Sequence, residues 1–508
     1  MKKIAFMTLG CKVNQADTAS MQMLFRQAGY EVCEFTGEAD VYVVNTCVVT
    51  NTGQHKSRQM IRRAVRRRNG ALVVVTGCYP QTAAEEVKSI EGVDLIIGNR
   101  DRTRIVSLVE AALERKQSLK NGSDTAGLEA DPEKEEVAVR PSEKDYMPGQ
   151  DAKEPDDSED SGEQKKVPEA ALDFVTSDMH PGIPVVDDEV RPWEKGVRFE
   201  ELSGGNEGDR TRAYLKIQEG CNQYCSYCII PYARGPLRSR SLRNIREEVG
   251  RLTDAGYKEI VLIGIHLGCY GREMKDGTTL YDAVKAALSV PGLQRLRLGS
   301  LESVEVEDKL LGMMAKDRRL CPHLHLPLQS GCDKILKDMN RPYSTAKFKM
   351  LLEQIRKQLP EIAITTDVIV GFPGETPEDF AQTCRFVQEC GFAKMHIFPY
   401  SMRKGTPAAA RRDQIPEPVK KERAEKLAEI DRKMQRAYFE SNIGVRHRVL
   451  AEQPVKRSGS EPDQGRLLEG LTENYIRVEF PGDESLRGSM VDIKITEAAI
   501  DNCKGVIL

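Results

Sequence analysis

Apolar residues in this chain gather in short runs whose spacing changes along its length. Over residues 1–117 the runs KIAFMT (3–8), VYVVNT (41–46), LVVVTG (72–77) and DLIIG (94–98) are separated by longer helix-like stretches, among them 15–28 and 55–69. Apolar strands spaced by helices predict a parallel α/β sheet. Residues 118–209 break the pattern. They are rich in Asp, Glu, Pro, Gly and Ser and poor in apolar residues. Burial there cannot offset the entropy of ordering, so the segment reads as an acidic, mostly disordered linker or insertion, with its lone Trp193 a candidate for local docking. From 210 the alternation returns with AYLKIQ (213–218), EIVLIG (259–264), LRLRLG (294–299), HLHLPL (323–328), ITTDVIVG (364–371) and KMHIFPY (394–400). Six successive βα units over 210–440 predict a full or partial (β/α) barrel. Residues 441–508 read as short strands with polar turns, the pattern of a small β-barrel.

Composition changes this picture in two places. The net charge of −3 conceals a division: residues 120–209 carry 26 Asp and Glu against 10 Lys and Arg, a net of −16, which leaves +13 for the remainder. A basic body makes nucleic acid a candidate partner, alongside plain solubility. No run approaches about 20 uninterrupted apolar residues, so no membrane-spanning helix is expected. The start, MKKIAFMTLGCKVNQ, reads as a first strand and not as an export signal. Thirteen cysteines in such a chain point to a reducing, cytoplasmic setting, where thiols bind metals or sit in cores.

The chemistry concentrates in KIQEGCNQYCSYCIIPYARG (216–235). Cys221, Cys225 and Cys228 lie within eight residues, and the next cysteine is Cys269. Structural zinc takes four ligands, and a ferredoxin cluster takes four cysteines. Either a distant residue completes a zinc site, or three thiolates hold a 4Fe–4S cube with one iron open. S-adenosylmethionine (SAM) can chelate such an iron through its amino and carboxylate groups, and electron transfer then yields a 5′-deoxyadenosyl radical. A second set lies in the N-terminal region: Cys11 (TLGCKVN), Cys47 (NTCVVTNTG) and Cys78 (TGCYPQ) each follow a predicted strand. Loops at the carboxyl ends of a parallel sheet gather into one crevice. Three thiolates there can hold a second cluster, although buried cysteine is also common. Cys33, Cys269, Cys321, Cys332, Cys384, Cys390 and Cys503 are expected in cores.

The Cys221–Cys225–Cys228 motif, with Tyr227 before its last cysteine, follows the first strand of the βα series and resembles the radical SAM superfamily. Both triads together, with TLGCKVNQADT, NTCVVTNTG, CIIPYARGPLRSR, LPLQSGCDKILKDMNR, TDVIVGFPGET and PYSMRKGTPAA, resemble the methylthiotransferase family over nearly all the chain outside 118–209. The C-terminal piece is similar to the RNA-binding TRAM domain. The resemblance implies two 4Fe–4S clusters, one on each triad. It implies one SAM that methylates a sulfur species and a second that supplies the radical, so that a methylthio group enters an inert aromatic C–H. Within the family the chain is most similar to the branch acting on carbon 2 of N6-threonylcarbamoyladenosine 37 in the tRNA anticodon loop. GCKVN (10–14), NTCVVTNTG (45–53), HKSRQMIRR (55–63) and IHLGCYG (265–271) carry that likeness. The other branches act on isopentenyladenosine 37 or on an aspartate of a ribosomal protein. A non-catalytic iron–sulfur RNA-binding or redox-sensing protein is the reading from another class. An electron donor and a sulfur source are further partners whose identity the sequence leaves open.

Several residues are candidates for supporting roles. Gly264 and Glu302 follow predicted strands and are candidates to meet the adenosine and ribose of SAM, with Tyr227 beside the cluster. The resemblance places the turn Gly371–Glu375 near the same site. Lys56, Arg58, Arg62, Arg63, Arg66, Arg67 and Arg68 follow Cys47 and suit phosphate contacts. Tyr475 and Arg477 are candidates to hold RNA by stacking and charge. His323 and His325 flank one strand residue, which a barrel strand explains as well as a metal does.

Overall fold

The computed structural model describes residues 1–67, 70–120, 187–204, 211–455 and 467–508. The chain divides into two compact units, Met1–Leu113 with Pro184–Leu508, and Glu114–Ile183. Of the second unit, the described residues are the end of the helix Ile105–Lys120.

The first apolar runs become a six-stranded parallel sheet. Its strands are β1 (Lys3–Thr8), β2 (Glu31–Cys33), β3 (Val41–Thr46), β4 (Leu72–Gly77), β5 (Leu95–Ile97) and β6 (Asp187–Glu189), in the order β2-β1-β3-β4-β5-β6. Every residue of β3 and β4 is buried, because helices cover both faces of the sheet. Among these helices are α1 (Lys12–Gln27) and α2 (Asn51–Arg67).

The edge strand β6 departs from the reading of 118–209 as linker. Residues 187–204 leave the sheet as an ordered strap. Trp193 anchors it: the indole Nε1 donates to the Tyr232 carbonyl at 3.0 Å, and the Arg238 guanidinium lies 4.5 Å from the ring centroid. A side chain at Gly235 would collide with that ring. One aromatic anchor and the Glu200 carboxylate on Arg102 thus order a stretch whose composition argues against order. The stretches 121–186 and 205–210 lie outside the described residues.

The six later runs form two parallel three-stranded sheets. With β7 (Arg212–Lys216), the antiparallel pair β8 (Gln218–Glu219) and β9 (Arg238–Ser239), β10 (Glu259–Ile263) and β11 (Arg295–Leu298), the first sheet has the order β11-β10-β7. β12 (His323–His325), β13 (Ala363–Val370) and β14 (Lys394–Pro399) form the second. Single bridges, Leu296 to Leu320 and Ser300 to His325, join them into a partial barrel with β7 and β14 at its free edges. Ile260, Leu262, Leu296, Leu298, Leu324, Ile364, Val368 and Met395 alternate into the main apolar core. Among the intervening, lumen-facing positions, Glu259, Arg295, Arg297, His323, His325, Thr365, Asp367 and His396 are polar, whereas Tyr214, Val261 and Ile263 on β7 and β10 are apolar. Barrel interiors are ordinarily filled by branched apolar side chains. Helix α1 packs across this lumen side, with Val13 and Ala16 against Val261 and Ile263.

The C-terminal strands β15 (Arg446–Pro454), β16 (Leu467–Leu471), β17 (Arg477–Pro481), β18 (Met490–Ala498) and β19 (Cys503–Ile507) close into a barrel, order β15-β16-β17-β19-β18. This small barrel stops the amino-terminal end of the larger one. Arg297 donates to the Thr472 and Glu473 carbonyls at 2.9 and 3.1 Å, and Arg295 to the Leu471 carbonyl at 2.9 Å. Both guanidiniums pair with buried Glu259, at 2.6 and 3.1 Å. Burial alone would raise that carboxyl's pKa, but Arg295 and Arg297 hold it far below the usual range.

Tyr475 belongs to the same junction, which corrects its reading as an RNA platform. Its ring stacks on His323, with centroids 4.2 Å apart and planes 8° from parallel, and Arg297 lies 5.2 Å from its centroid. Arg477 is exposed and paired with Glu469 at 2.6 Å. Truncation of Tyr475 to Ala is expected to cost about 3 kcal/mol in urea-induced unfolding, with tRNA affinity of the folded protein changed less than about twofold. Unchanged stability with a tenfold loss of RNA affinity would restore the platform reading.

Candidate functional site

The sheet brings the three N-terminal cysteines together. Cys11 sits at the N-cap of α1, Cys47 follows β3, and Cys78 opens the short helix Cys78–Thr82. The Asn14 amide oxygen is 4.0 Å from the sulfurs of both Cys11 and Cys78. Burial pushes the Cys47 thiol up to about 11, and the neighbouring Cys78 and Cys11 add to that. Burial likewise raises Cys11, against the pull of Arg234. Gly10, at φ +103°, allows the approach: a Cβ there would lie 2.9 Å from Cys47 Cβ and 3.0 Å from its sulfur. Cys11 is nonetheless solvent-accessible, so it lines a concavity and is not sealed in core.

Cys221, Cys225 and Cys228 occupy a loop pinned at several points. The Cys221 N–H donates to the Gly235 carbonyl at 3.0 Å, the Ser226 N–H to the Met339 carbonyl at 3.0 Å, and the Ala408 N–H to the Ser226 carbonyl at 2.8 Å. The sulfurs also receive donors. The Gln223 N–H points at Cys221 Sγ at 3.4 Å, and Arg341 Nη1 at Cys225 Sγ at 3.2 Å. Burial pushes the Cys228 thiol up to about 12, and Cys225 and Cys221 contribute in the same direction. Metal binding by such thiols must expel protons.

The candidate SAM residues hold several partners of their own. Glu302 pairs with Arg341, the residue that reaches Cys225. Tyr227 packs beside Cys332, Ile335, Phe372 and Tyr400. At Gly264 it is Gln218 that uses the missing side chain's room, its Oε1 lying 2.8 Å from where a Cβ would be. In the Gly371–Glu375 turn, Glu375 Oε2 accepts from the Gly371 N–H at 2.7 Å and from Arg423 at 2.5 Å, which ties the turn to the helix Glu417–Glu440. Cys269, expected in a core, is buried but partnered. His266 Nδ1 is 3.5 Å from both Cys269 and Cys221 sulfurs, and its Nε2 is 2.9 Å from Glu305. Burial opposes a charge on His266, but those hydrogen bonds push its pKa up to about 12.

Between the two triads lies a buried ionic network that single residues of the sequence do not announce. Arg234, fully buried, donates Nε to Cys78 Sγ at 3.3 Å and Nη1 to Asp17 at 2.6 Å and Glu219 at 2.7 Å. Its other nitrogen bonds the Asn14 amide oxygen. Arg102 reaches Glu219 at 3.0 Å and Glu200 at 3.0 Å, while Lys216 holds Glu219 at 2.9 Å and also pairs with Asp17. Asn99 donates to Cys78 Sγ at 3.5 Å and to the Ala233 carbonyl at 2.9 Å. Arg403 adds a second tie, to the Val48 carbonyl and Gln54, both at 3.1 Å. Asp17 and Asn14 come from α1, whereas Glu219 and Arg234 flank the second triad. The signal for Arg234 is its place in CIIPYARG, six residues past Cys228.

These contacts test whether the residues fit iron–sulfur clusters. A guanidinium and an amide, both buried, aim N–H donors at Cys78, and a second guanidinium aims one at Cys225. Neutral thiols are weak acceptors, whereas thiolates are strong ones. The donor sets therefore fit anionic sulfur at both triads. In α2, Lys56, Arg62, Arg63 and Arg66 are exposed. Arg58 bonds the Tyr79 hydroxyl at 3.4 Å, Arg67 donates to the Thr36 carbonyl at 2.6 Å, and Arg68 lies outside the described residues.

The network carries a pH signature. Burial would raise the Asp17 and Glu219 carboxyls, but Arg102 and Lys216 hold both below their usual range. A depressed carboxyl contributes stability that is complete above its unfolded value, 4.5 for Glu219, and is lost as pH falls through the folded value. Glu219→Gln is expected to cost about 3–5 kcal/mol at neutral pH and to flatten the decline of stability in acid. A variant as stable as the parent at pH 7 would contradict the assignment.

Comparison with known proteins agrees with this geometry. Residues 215–387 match the radical SAM superfamily, and residues 3–98 match an uncharacterized protein family, UPF0004. The threonylcarbamoyladenosine tRNA methylthiotransferase MtaB of Bacillus subtilis is 37% identical over 98% of this chain and 94% of its own length. The MtaB of Aquifex aeolicus is 35% identical over 97% of this chain and all of its own. A tRNA-2-methylthio-N(6)-dimethylallyladenosine synthase of Acetivibrio thermocellus is 29% identical over 99% of this chain and 90% of its own. Among solved structures, the radical S-adenosylmethionine methyltransferase TsrM of Kitasatospora setae aligns with a TM-score of 0.51 at 16% identity, over 80% of this chain and 74% of that one. That likeness is one of fold. With radical SAM chemistry come a 4Fe–4S cluster and SAM, and the chain belongs to the radical SAM methylthiotransferase family.

Proposed function

We infer that this protein inserts a methylthio group at carbon 2 of N6-threonylcarbamoyladenosine 37 in tRNA, with two clusters and with SAM as both methyl and radical source. Cys221, Cys225 and Cys228 hold one 4Fe–4S cluster, and Cys11, Cys47 and Cys78 hold the other. The observation that carries this reading is the convergence of two cysteine triads on one buried ionic bridge, in a chain 33–37% identical to three MtaB relatives. When bound, the clusters and SAM supply the sulfur, methyl and radical chemistry. The chain's own residues orient and shield. Arg341 and Arg234 direct N–H donors at Cys225 and Cys78. Asp17 and Glu219 hold Arg234 in place.

Access for RNA is supported by surface chemistry near both triads. Tyr224 and Tyr232, 54% and 50% exposed, form an edge-to-face pair with centroids 6.2 Å apart beside Cys225 and Cys228. They offer the stacking surface that Tyr475 does not. The exposed cations of α2 suit anticodon-loop phosphates. No helix among the described residues is long and apolar enough to cross a membrane, and a cytoplasmic site of action accords with a tRNA substrate.

Three measurements test the reading. Anaerobically reconstituted protein is expected to hold about eight irons, falling by about half in either Cys11→Ala or Cys225→Ala. With reductant and SAM it releases 5′-deoxyadenosine, which a binding or sensing protein does not. Nucleoside mass spectrometry of tRNA from a deletion strain is expected to lose the methylthio group from threonylcarbamoyladenosine alone. Loss from isopentenyladenosine instead would move the protein to another branch.

A further inference from the structure

Along β11 to β14 the lumen of the partial barrel is polar where such lumens are ordinarily apolar. Its lower layer is engaged by the protein itself: Glu259 takes Arg295 and Arg297, and His323 stacks on Tyr475 and meets the Thr365 hydroxyl through Nε2 at 3.1 Å. The layer above it is different. His325 Nε2 lies 3.1 Å from Asp367 Oδ2, and its Nδ1 lies 2.9 Å from the Thr365 hydroxyl. The His396 ring lies 5.6 Å from that of His325. Ligand atoms of His325, Asp367 and His396 all fall within 4.8 Å of one another. Asp367 and His325 keep 26% and 14% of their side chains accessible, so this layer faces open space and not packed protein.

The N-terminal sheet delivers one more group into that space. Lys12, the residue after Cys11, puts its ammonium 5.9 Å from the Tyr214 ring of β7. It is solvent-accessible, and Tyr214 packs with Val13, Ala16, Val261 and Ile263 on the lumen side of the sheet, so Lys12 stands at the β7 edge of the lumen, at the start of the helix that begins at the first triad. His325 and Thr365 are paired already, so the layer and its edge offer a ligand the Lys12 ammonium, the His396 imidazole and the remaining lone pairs of Asp367. An apolar occupant would strip water from these groups and pair none.

We propose that Lys12, His325, Asp367 and His396 form the subsite for the threonylcarbamoyl substituent of the target adenosine. The proposal rests on the substrate reading above and deepens it. Lys12 and His396 supply the cationic and N–H groups for the threonyl carboxylate. Asp367 accepts from the threonyl hydroxyl or a ureido N–H. Thr365 and Asp367 hold the ring of His325 between them. A substituent with a carboxylate, a hydroxyl and N–H donors pairs Lys12, His396 and the free lone pairs of Asp367, whereas an isopentenyl chain leaves those groups unpaired. A divalent cation held by His325, Asp367 and His396 is the competing occupant.

The test measures binding. Full-length reconstituted protein is titrated by fluorescence anisotropy with three synthetic anticodon stem-loops, carrying adenosine, threonylcarbamoyladenosine or isopentenyladenosine at position 37. The expected result is a preference of about tenfold or more for the threonylcarbamoyl loop over the plain one. Lys12→Met and His396→Gln, checked for an unchanged melting temperature, each bring that ratio to about threefold or less, and Lys12→Arg keeps most of it. A full preference in both Lys12→Met and His396→Gln overturns the subsite while leaving the substrate reading intact. A preference for the isopentenyl loop by the parent protein overturns the substrate reading itself. A further metal ion beyond the cluster irons, lost in His396→Gln, assigns the cluster of side chains to a cation and overturns the subsite.

Discussion

One buried arginine ties the two halves of the site together. Arg234 contacts Asp17 and Asn14 on the helix that starts at Cys11, Glu219 on the strand before Cys221, and the sulfur of Cys78. Four cations, Arg102, Arg234, Lys216 and Arg238, share three carboxylates, Asp17, Glu219 and Glu200. The surplus positive charge is buried beside Cys78, where a neutral thiol would leave it uncompensated and a thiolate would not. Such a network adds little net stability over an apolar contact, but it permits few alternative arrangements of the two domains. In the proposed reading, that constraint sets the spacing between the place where sulfur is held and the place where the radical forms.

The chemistry of the chain follows from two positional regularities. Parallel strands end at one side of their sheet, so a cysteine placed just after each of three strands lands with the others. In the partial barrel the same rule places the Cys221 loop, Gly264 and Glu302 on one rim. Beneath that rim, alternate residues of β11, β12, β13 and β14 point inward. Their polarity divides the lumen into a floor sealed by the C-terminal barrel and an open layer above it. Lys12 joins these two arrangements, because it is the first helical residue after Cys11 and its ammonium lies 5.9 Å from the ring of Tyr214 on the edge strand β7.

Much of this was legible in the residues. The strand runs stand within a few positions of β1, β3, β4 and β5, and of the six barrel strands, because runs apolar on one or both faces have few other ways to be buried. The cysteine spacing and its place after strands carried the triads. The alternation in LRLRLG and HLHLPL already shows Arg295, Arg297, His323 and His325 on one face. Other features depend on pairings that local pattern does not encode. Asp17 and Arg234 are 217 residues apart, and nothing near either residue names its partner. The strap at 187–204 has a disordered segment's composition and is held by two aromatics, Trp193 on Arg238 and the Tyr232 carbonyl and Phe199 5.3 Å from the Arg240 guanidinium, together with Glu200 on Arg102. Tyr475 has the look of an RNA-stacking residue, but it lies at the junction with the larger barrel, where His323 and Arg297 claim it.

In the proposed reading, two cysteine triads joined through the Asp17–Arg234–Glu219 bridge each carry a cluster. Diffraction from anaerobically reconstituted crystals at the iron absorption edge measures this directly. The account requires two anomalous iron sites, one bounded by Cys11, Cys47 and Cys78 and the other by Cys221, Cys225 and Cys228, with Arg234 between them. Iron at one triad only, or iron bound away from these cysteines, would contradict it.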